Sequence, residues 1–305
     1  MVEIHRPTPH DANLSTSANL APKLDFGKFS EMPEYIAVNR SLVGTVVLRL
    51  PNNFIHVDVA AGTGMVEKLM KEEAEKLGKK GKVIGVDPNT TSLAIARRNV
   101  TSSANVEIKF IEGMGQNLKH LLNGEVSEGV DSTSIHDAIH EIWNNEDKAD
   151  IIKSMAHILK PGGLLSFNSA FTTISNLNKD GGNWGRWKLL SMEKLAGGKV
   201  RRNKDAKAMP VLKPEEYKKM ITDAGLVIVM EKRTDVALTK EALIAIARYP
   251  AFFEGTFADM PDQEKYSQIE KSNALVTVIE ELGVPELTKV WYEVIAQKPI
   301  DPPAC

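Results

Sequence analysis

Apolar positions recur three and four residues apart between Glu31 and Leu50, where Ile36, Asn39, Leu42, Val43, Val46 and Val47 share a face. That spacing predicts an amphipathic helix, and Pro51-Asn52-Asn53 stops it. FIHVDVA (54–60) is then a short β-branched run ending in small residues, which reads as a buried strand. AGTG (61–64) turns it into MVEKLMKEEAEKLG (65–78), a second amphipathic helix that closes with Gly78 and a lysine-rich turn. The alternation continues through KVIGVD (82–87), the helix TSLAIARRNV (91–100) and the strand VEIKFIEG (106–113). A strand within GVDSTSIHDAI (129–139), the helix NEDKADIIKSMAHILK (145–160), a break at Pro161-Gly162-Gly163 and the strand LLSFNSAF (164–171) follow. Strands alternating with helices in this way predict an α/β protein with a doubly wound, parallel sheet. Further on, KPEEYKKMITDAG (213–225) reads as a helix, and LVIVMEK (226–232) and KVWYEVIAQK (289–298) as two more strands.

Two stretches interrupt the alternation. Residues 172–212 hold LNKDGGNWGRWKLL and the basic run KVRRNKDAK, and residues 235–287 hold the helix-like segments TKEALIAIARY and KYSQIEKSNALVTVIEEL around a break at 250–262. The expected organisation is a polar, flexible arm (1–30), a core (31–171), an insertion forming a cap (172–212), a return to the core (213–234), a helical insertion (235–287) and a last core strand with its tail (288–305).

The chain has 305 residues, with 38 basic against 40 acidic side chains. That balance speaks against a nucleic-acid footprint. No apolar run has the length of a membrane span, and the first 25 residues lack the apolar core of a secretory signal. The lone cysteine, Cys305, excludes a disulfide within this sequence and makes a thiolate zinc site unexpected. A cytoplasmic enzyme acting on a small molecule, monomeric or homodimeric, is the expectation.

VDVAAGTG lies at the end of the first strand, where a doubly wound sheet receives a nucleotide-like ligand. Gly62 and Gly64 let the backbone come close to that ligand, and the next helix offers free N–H groups to an anion. A dinucleotide loop would place a third glycine where Glu67 stands. A carboxylate there would oppose a pyrophosphate, and its bulk would push the helix off the strand, so an NAD-dependent oxidoreductase is a minor alternative.

Five blocks in order, VDVAAGTG, VIGVD, FIEGMGQNL, the fourth strand and LKPGGLLSF, resemble the motifs of class I S-adenosylmethionine-dependent methyltransferases. Locally they are similar to the quinone-biosynthesis methyltransferases. The resemblance implies a Rossmann-like, seven-stranded sheet with six parallel strands and the last antiparallel, here carrying helical cap insertions. It also implies S-adenosylmethionine as cofactor, with S-adenosylhomocysteine as product. On the matching positions, Asp58 would order the glycine loop and Ala60, Gly62 and Gly64 would line the cofactor. Asp87 would accept from both ribose hydroxyls, Pro88 and Asn89 would flank the adenine, and Gly113, Met114, Gly115, Gln116 and Asn117 would form its other face. One departure stands out. The family often has an acidic residue for the adenine amine where this chain has Met114, and a thioether is a poor acceptor. The contact then falls to Gln116, Asn117, backbone or water.

Methyl transfer is an in-line displacement, in which an alcohol or phenol acceptor benefits from a base. SIHDAIHEIWNN, after the fourth strand, carries His136, Asp137, His140 and Glu141, and a helical segment would put His136 with His140 on one face. His140 is the first choice of base because its pKa starts nearest neutrality, with Asp137 to orient it and His136 as a neighbour of the sulfonium. Packing of His140 under the cap, contact with substrate, and a two-histidine-plus-carboxylate metal site are the other readings of these residues; no metal is expected. Phe171, Trp184, Trp187, Tyr249 and Phe253, in or beside the insertions, are candidates to bind a sizeable, partly apolar substrate; the alternative is that they form the core of the cap. The expected reaction is O-methylation of a small, partly hydrophobic metabolite of secondary or quinone-like metabolism. Carbon or nitrogen methylation, a non-methylating cofactor binder and a protein methyltransferase are the alternatives.

Overall fold

The computed structural model describes residues 24, 26–175, 183–203 and 211–300. Expectations for residues 1–23 and 25, for residues 176–182, for residues 204–210 (which include the end of the basic run) and for residues 301–305 lie outside these.

In chain order the elements are α1 (Gly27–Ser30), α2 (Pro33–Arg49), β1 (Phe54–Val59), α3 (Met65–Lys76), β2 (Gly81–Asp87), α4 (Thr90–Asn99), β3 (Val106–Glu112), α5 (Leu118–Leu121), β4 (Val130–His136), α6 (Asn145–Ile158) and β5 (Leu159–Ser169). Then come α7 (Asn183–Ala196), α8 (Pro214–Asp223), β6 (Val227–Thr239), α9 (Lys240–Ala247), α10 (Pro250–Phe257), α11 (Gln268–Leu282) and β7 (Glu286–Gln297). The strands form one seven-stranded sheet in the order β3-β2-β1-β4-β5-β7-β6. β7 runs antiparallel to both β5 and β6, and the pairs among β1 to β5 are parallel. This is the expected seven-stranded, doubly wound α/β sheet.

Both faces of the sheet are covered, which is why its central strands are apolar almost throughout. On one face α2 and α3 pack Leu42, Val46, Val47 and Leu69 against Phe54, Val83 and Ile295. On the other, α5, α6 and α8 pack Leu118, Ile152, Met155 and Ile221 against Val57, Ile84 and Phe167. Arg40 fastens α2 to α3 through Glu72 and Glu73, each at 2.7 Å.

A separate apolar cluster joins α7, α9, α10 and α11 to the ends of β6 and β7. Its physical support is a two-stranded ribbon. β5 pairs with β7 only as far as Ser169 opposite Tyr292, whereas β6 and β7 stay paired from there to Thr239 opposite Glu286. The ribbon therefore projects past the carboxyl end of β5, and the helices between its strands form the cap.

Three local readings differ from the structure. The run PAFFEGTF, read as a break, forms α10, because its proline sits in the first turn, where no N–H is needed. β5 starts at Leu159 and absorbs Pro161-Gly162-Gly163, with a register shift against β4 between Val130 and Ser132. β6 runs to Thr239 rather than ending at 232.

Candidate active site

The carboxyl ends of β1, β2 and β4 meet above the sheet. β1 ends in a turn whose backbone is left-handed at Ala60 (φ 61°), Gly62 (φ 54°) and Gly64 (φ 90°). Gly64 caps α3, and a Cβ there would press on Val100, Ala96 and Phe110 at 3.0–3.3 Å, so the turn needs glycine for both its angle and its packing. A Cβ at Gly62 would meet only Ala60 O, at 4.0 Å, so the loop faces open space there. The loop is tied to β2: Asp87 accepts the Gly62 N–H at 2.9 Å through Oδ2 and the Asn89 N–H at 2.7 Å through Oδ1. Pro88 is exposed beside it.

After β3, Gly113 and Gly115 pack closely, their Cβ positions falling 2.4 Å from Leu121 and 2.6 Å from Val59. Met114 is 48% exposed. Gln116 has a buried Oε1 with no partner. An acceptor left without a donor in the turn that would face an adenine fits a ligand bearing an amine.

Beneath the loop runs a buried polar stripe. β1 pairs with β4 so that His56 faces Ser132 and Asp58 faces Ser134. His56 contacts Ser132 Oγ at 2.7 Å through Nδ1 and Ser134 Oγ at 2.9 Å through Nε2, and Ser134 donates to Asp58. Burial holds the His56 imidazole down to a pKa of about 3, so it is neutral. Burial, with the Asp87 charge adding to it, pushes Asp58 up to about 8.

Glu67 completes this group. It is wholly buried on α3, and burial together with the Asp58 charge drives its carboxyl well above the usual range. Its bulk does not displace the helix, because the strand residue facing it is Gly85; a Cβ there would lie 2.2 Å from Glu67 Oε1. The close approach expected of a glycine on the helix is supplied by a glycine on β2. A carboxyl whose pKa rises on folding keeps a proton that the unfolded chain has released. Stability is then full below the unfolded value of about 4 and is lost as pH climbs toward the folded value. Glu67→Gln is therefore expected to gain stability over the parent between pH 5 and pH 8, read by urea denaturation at both. An equal difference at the two pH values would mean that Glu67 ionises freely.

The segment after β4 is not an α-helix. His136 ends the strand, Asp137 takes a left-handed backbone (φ 49°), and Ile139–Glu141 is a 3-10 turn, so His136 and His140 share no helix face. His136 is buried with Nε2 3.1 Å from Ser166 Oγ and Nδ1 unpartnered, and burial lowers its pKa to about 3. His140 stacks on Phe171 at 4.0 Å. Burial, with the charges of Lys289 and Lys148, takes its pKa to about 3 as well. Asp137 accepts the Ala170 N–H at 2.7 Å through Oδ1 and leaves Oδ2 buried and unpartnered.

Around this turn the cap closes. Asp137, Phe171, Trp184, Phe252, Lys289 and Trp291 are among the residues lining a gap of about 10 Å³, room for one water at most. Trp187 and Phe253 are fully buried in the cap's own core, Trp187 donating to Leu275 O at 2.9 Å. Tyr249 donates to Glu141, tying the cap to the turn. Lys289, which the sequence reading missed, is buried on β7 with its Nζ 4.8 Å from the Phe171 ring and 4.7 Å from that of Trp184. Burial, with Lys188 adding to it, lowers its pKa to about 7. A wider cavity, about 460 Å³, lies at the opposite end of the sheet beside Asp131, Lys160 and Gln297, away from this chemistry. Among the described residues no three His, Cys, Asp or Glu side chains are grouped to hold a metal ion, and no helix is long and apolar enough to cross a membrane.

A family profile described as a methyltransferase domain matches residues 57–163, which span β1 to the glycines of β5. The sheet order and the glycine loop agree with that match: the chain has the Rossmann-like fold of the class I S-adenosylmethionine-dependent methyltransferases. Among curated proteins it is similar to the release factor glutamine methyltransferase of Mycobacterium tuberculosis, 26% identical over 167 residues, 49% of this chain and 54% of that protein. The chain thus spans about half the length of the curated relatives it matches. Among solved structures, a candidate methyltransferase of Bacillus halodurans shares the fold with a TM-score of 0.52 at 16% identity, covering 86% of this chain and 99% of that one. The YcgJ protein of Bacillus subtilis does so with a TM-score of 0.50 at 11% identity, over 86% and 99% of the two chains.

Proposed function

We propose that this protein transfers the methyl group of S-adenosylmethionine to a hydroxyl oxygen of a small, partly hydrophobic metabolite. The observation that carries this reading is the cap: α7 and α9–α11 close over the carboxyl ends of β4 and β5 and leave an aromatic-lined gap whose polar groups are Asp137 and Lys289. An acceptor that enters beneath this closed cap, by displacing one of the aromatic walls, is a small molecule, since a protein segment needs an open groove. The bound cofactor supplies an electrophilic methyl on a sulfonium. The chain's own residues do the rest. Asp87 holds the ribose hydroxyls, the loop 60–64 approaches the amino-acid end, and Gln116 Oε1 accepts from the adenine amine.

The test is incubation with a methyl-labelled donor and a cell extract. Label in the low-mass fraction is expected. Label confined to protein would replace this reading with the protein-directed one suggested by the name of the release factor relative. Gln116→Ala is expected to weaken S-adenosylhomocysteine binding about fivefold, the scale of one neutral hydrogen bond of about 1 kcal/mol, by calorimetry. Unchanged affinity would take Gln116 out of the adenine site.

A further inference from the structure

Two buried groups of opposite charge face the gap beneath the cap, and neither belongs to the cofactor loops. Asp137 is held three times over. Its backbone sits in the left-handed region, costly for any residue but glycine. Its N–H is fixed to Asn168 O at 3.0 Å, and its Oδ1 takes the Ala170 N–H at 2.7 Å. The remaining oxygen is buried without a partner. Such an oxygen is left unpaired only at a cost, and a donor arriving from the gap would satisfy it. Lys289 lines the same gap. The β5–β7 register ends at Tyr292, so Lys289 lies three residues further along the ribbon, beyond the carboxyl end of β5. Its alternate neighbours Leu287 and Trp291 belong to the cap's apolar cluster.

We infer that Asp137 Oδ2 receives the acceptor's proton while Lys289 holds the negative charge that develops on the acceptor oxygen, and that the acceptor is a hydroxyl on a flat aromatic ring. The inference rests on the methyl-transfer reading and deepens it. The walls argue for the ring. Lys289 already lies over Phe171 and Trp184, and with room for one water at most a substrate ring enters by taking the place of one of them beside the ammonium. In the step, the acceptor oxygen bonds to the methyl carbon as the carbon–sulfur bond breaks, and that electron pair stays on sulfur. The hydroxyl proton passes to Asp137. Lys289 keeps its proton and donates a hydrogen bond to the oxygen.

Proton affinities agree with this division. Burial, opposed by the Ala170 N–H and the Lys289 charge, places Asp137 at about 7, close to where a base works best at neutral pH. His140 at about 3 has little tendency to take a proton.

The test uses the full chain loaded with S-adenosylhomocysteine and 4-nitrophenol as probe, whose absorbance reports its ionisation. Bound 4-nitrophenol is expected to show its phenolate band at pH 6.5. Calorimetry in buffers of different ionisation enthalpy is expected to find clearly less than one proton released per phenolate formed, because the ionised fraction of Asp137 takes it up. Asp137→Asn should release it to the buffer, up to about one proton per phenolate formed. Lys289→Met should lose the phenolate band and bind the probe at least tenfold more weakly, with S-adenosylhomocysteine affinity unchanged. Should either variant fail to fold, the wild-type proton count alone decides. Release of a full proton per phenolate formed by the wild type, or no binding of 4-nitrophenol to the loaded protein, overturns the inference. Failure to bind S-adenosylhomocysteine at all overturns the methyl-transfer reading instead.

Discussion

Asp87→Ala is expected to weaken S-adenosylhomocysteine binding by roughly 10- to 100-fold, since hydrogen bonds to a charged group are worth about 1.5–3 kcal/mol. The carboxylate has one role in the structure and a second in the proposed site. It closes the glycine loop by accepting from Gly62 N–H and Asn89 N–H, one on each oxygen. A carboxylate offers about four acceptor sites, so two remain for a pair of ribose hydroxyls. Alanine would remove both the proposed ribose contact and the anchor of the loop, which places the expected effect toward the upper end of that range. Asp87→Asn separates the two roles. Its amide keeps one acceptor but turns an N–H donor toward Gly62 or Asn89, so it too should lose affinity while keeping the volume. Calorimetry gives the affinity, and thermal denaturation checks that the variants fold. A folded Asp87→Ala protein with unaltered affinity would remove the ribose role.

The proposed cofactor half of this site is legible in the sequence because it is local. Asp58, the loop 60–64 and Asp87 all lie on a strand, the turn behind it or the end of the next strand, and short β-branched runs and glycines mark such junctions without help from the rest of the chain. The proposed substrate half is assembled from residues far apart. Lys289 sits in KVWYEVIAQK, a strand with no motif. Its burial depends on β6 continuing seven residues past the point where the charged run EKRTD suggests an end, and on helices from two insertions folding over the ribbon. One signal was available. Leu287, Lys289 and Trp291 alternate, and a lysine among large apolar residues at period two marks a charge on a buried face. His140 misleads in the opposite way. Its free-solution pKa makes it the obvious base, but that value does not survive burial beside two lysines. Glu67 shows that a motif position is read only with its partner, since its size is absorbed by Gly85 on a strand eighteen residues away.

The cap makes the second large effect testable. Trp187→Ala is expected to cost about 3–5 kcal/mol, the range for deleting a large aromatic from a core. Trp187 is fully buried on α7, donates its indole N–H to Leu275 O on α11, and packs with Trp184 at 5.4 Å and Phe252 at 5.6 Å. Alanine leaves a void at the junction of α7, α10 and α11 and takes the donor from a carbonyl. That core is distinct from the two that flank the sheet, so the loss need not spread. Hydrogen exchange should find protection falling across residues 183–196 and 240–282 while β1, β2 and β4 keep theirs, and S-adenosylhomocysteine should still bind. Acceptor binding should fail, because the cap helices and the β6–β7 ribbon hold Lys289 over the gap. Uniform loss of protection through the sheet would mean that cap and core unfold together, and the division into a cofactor-binding floor and a separately folding, acceptor-selecting roof would have to be given up.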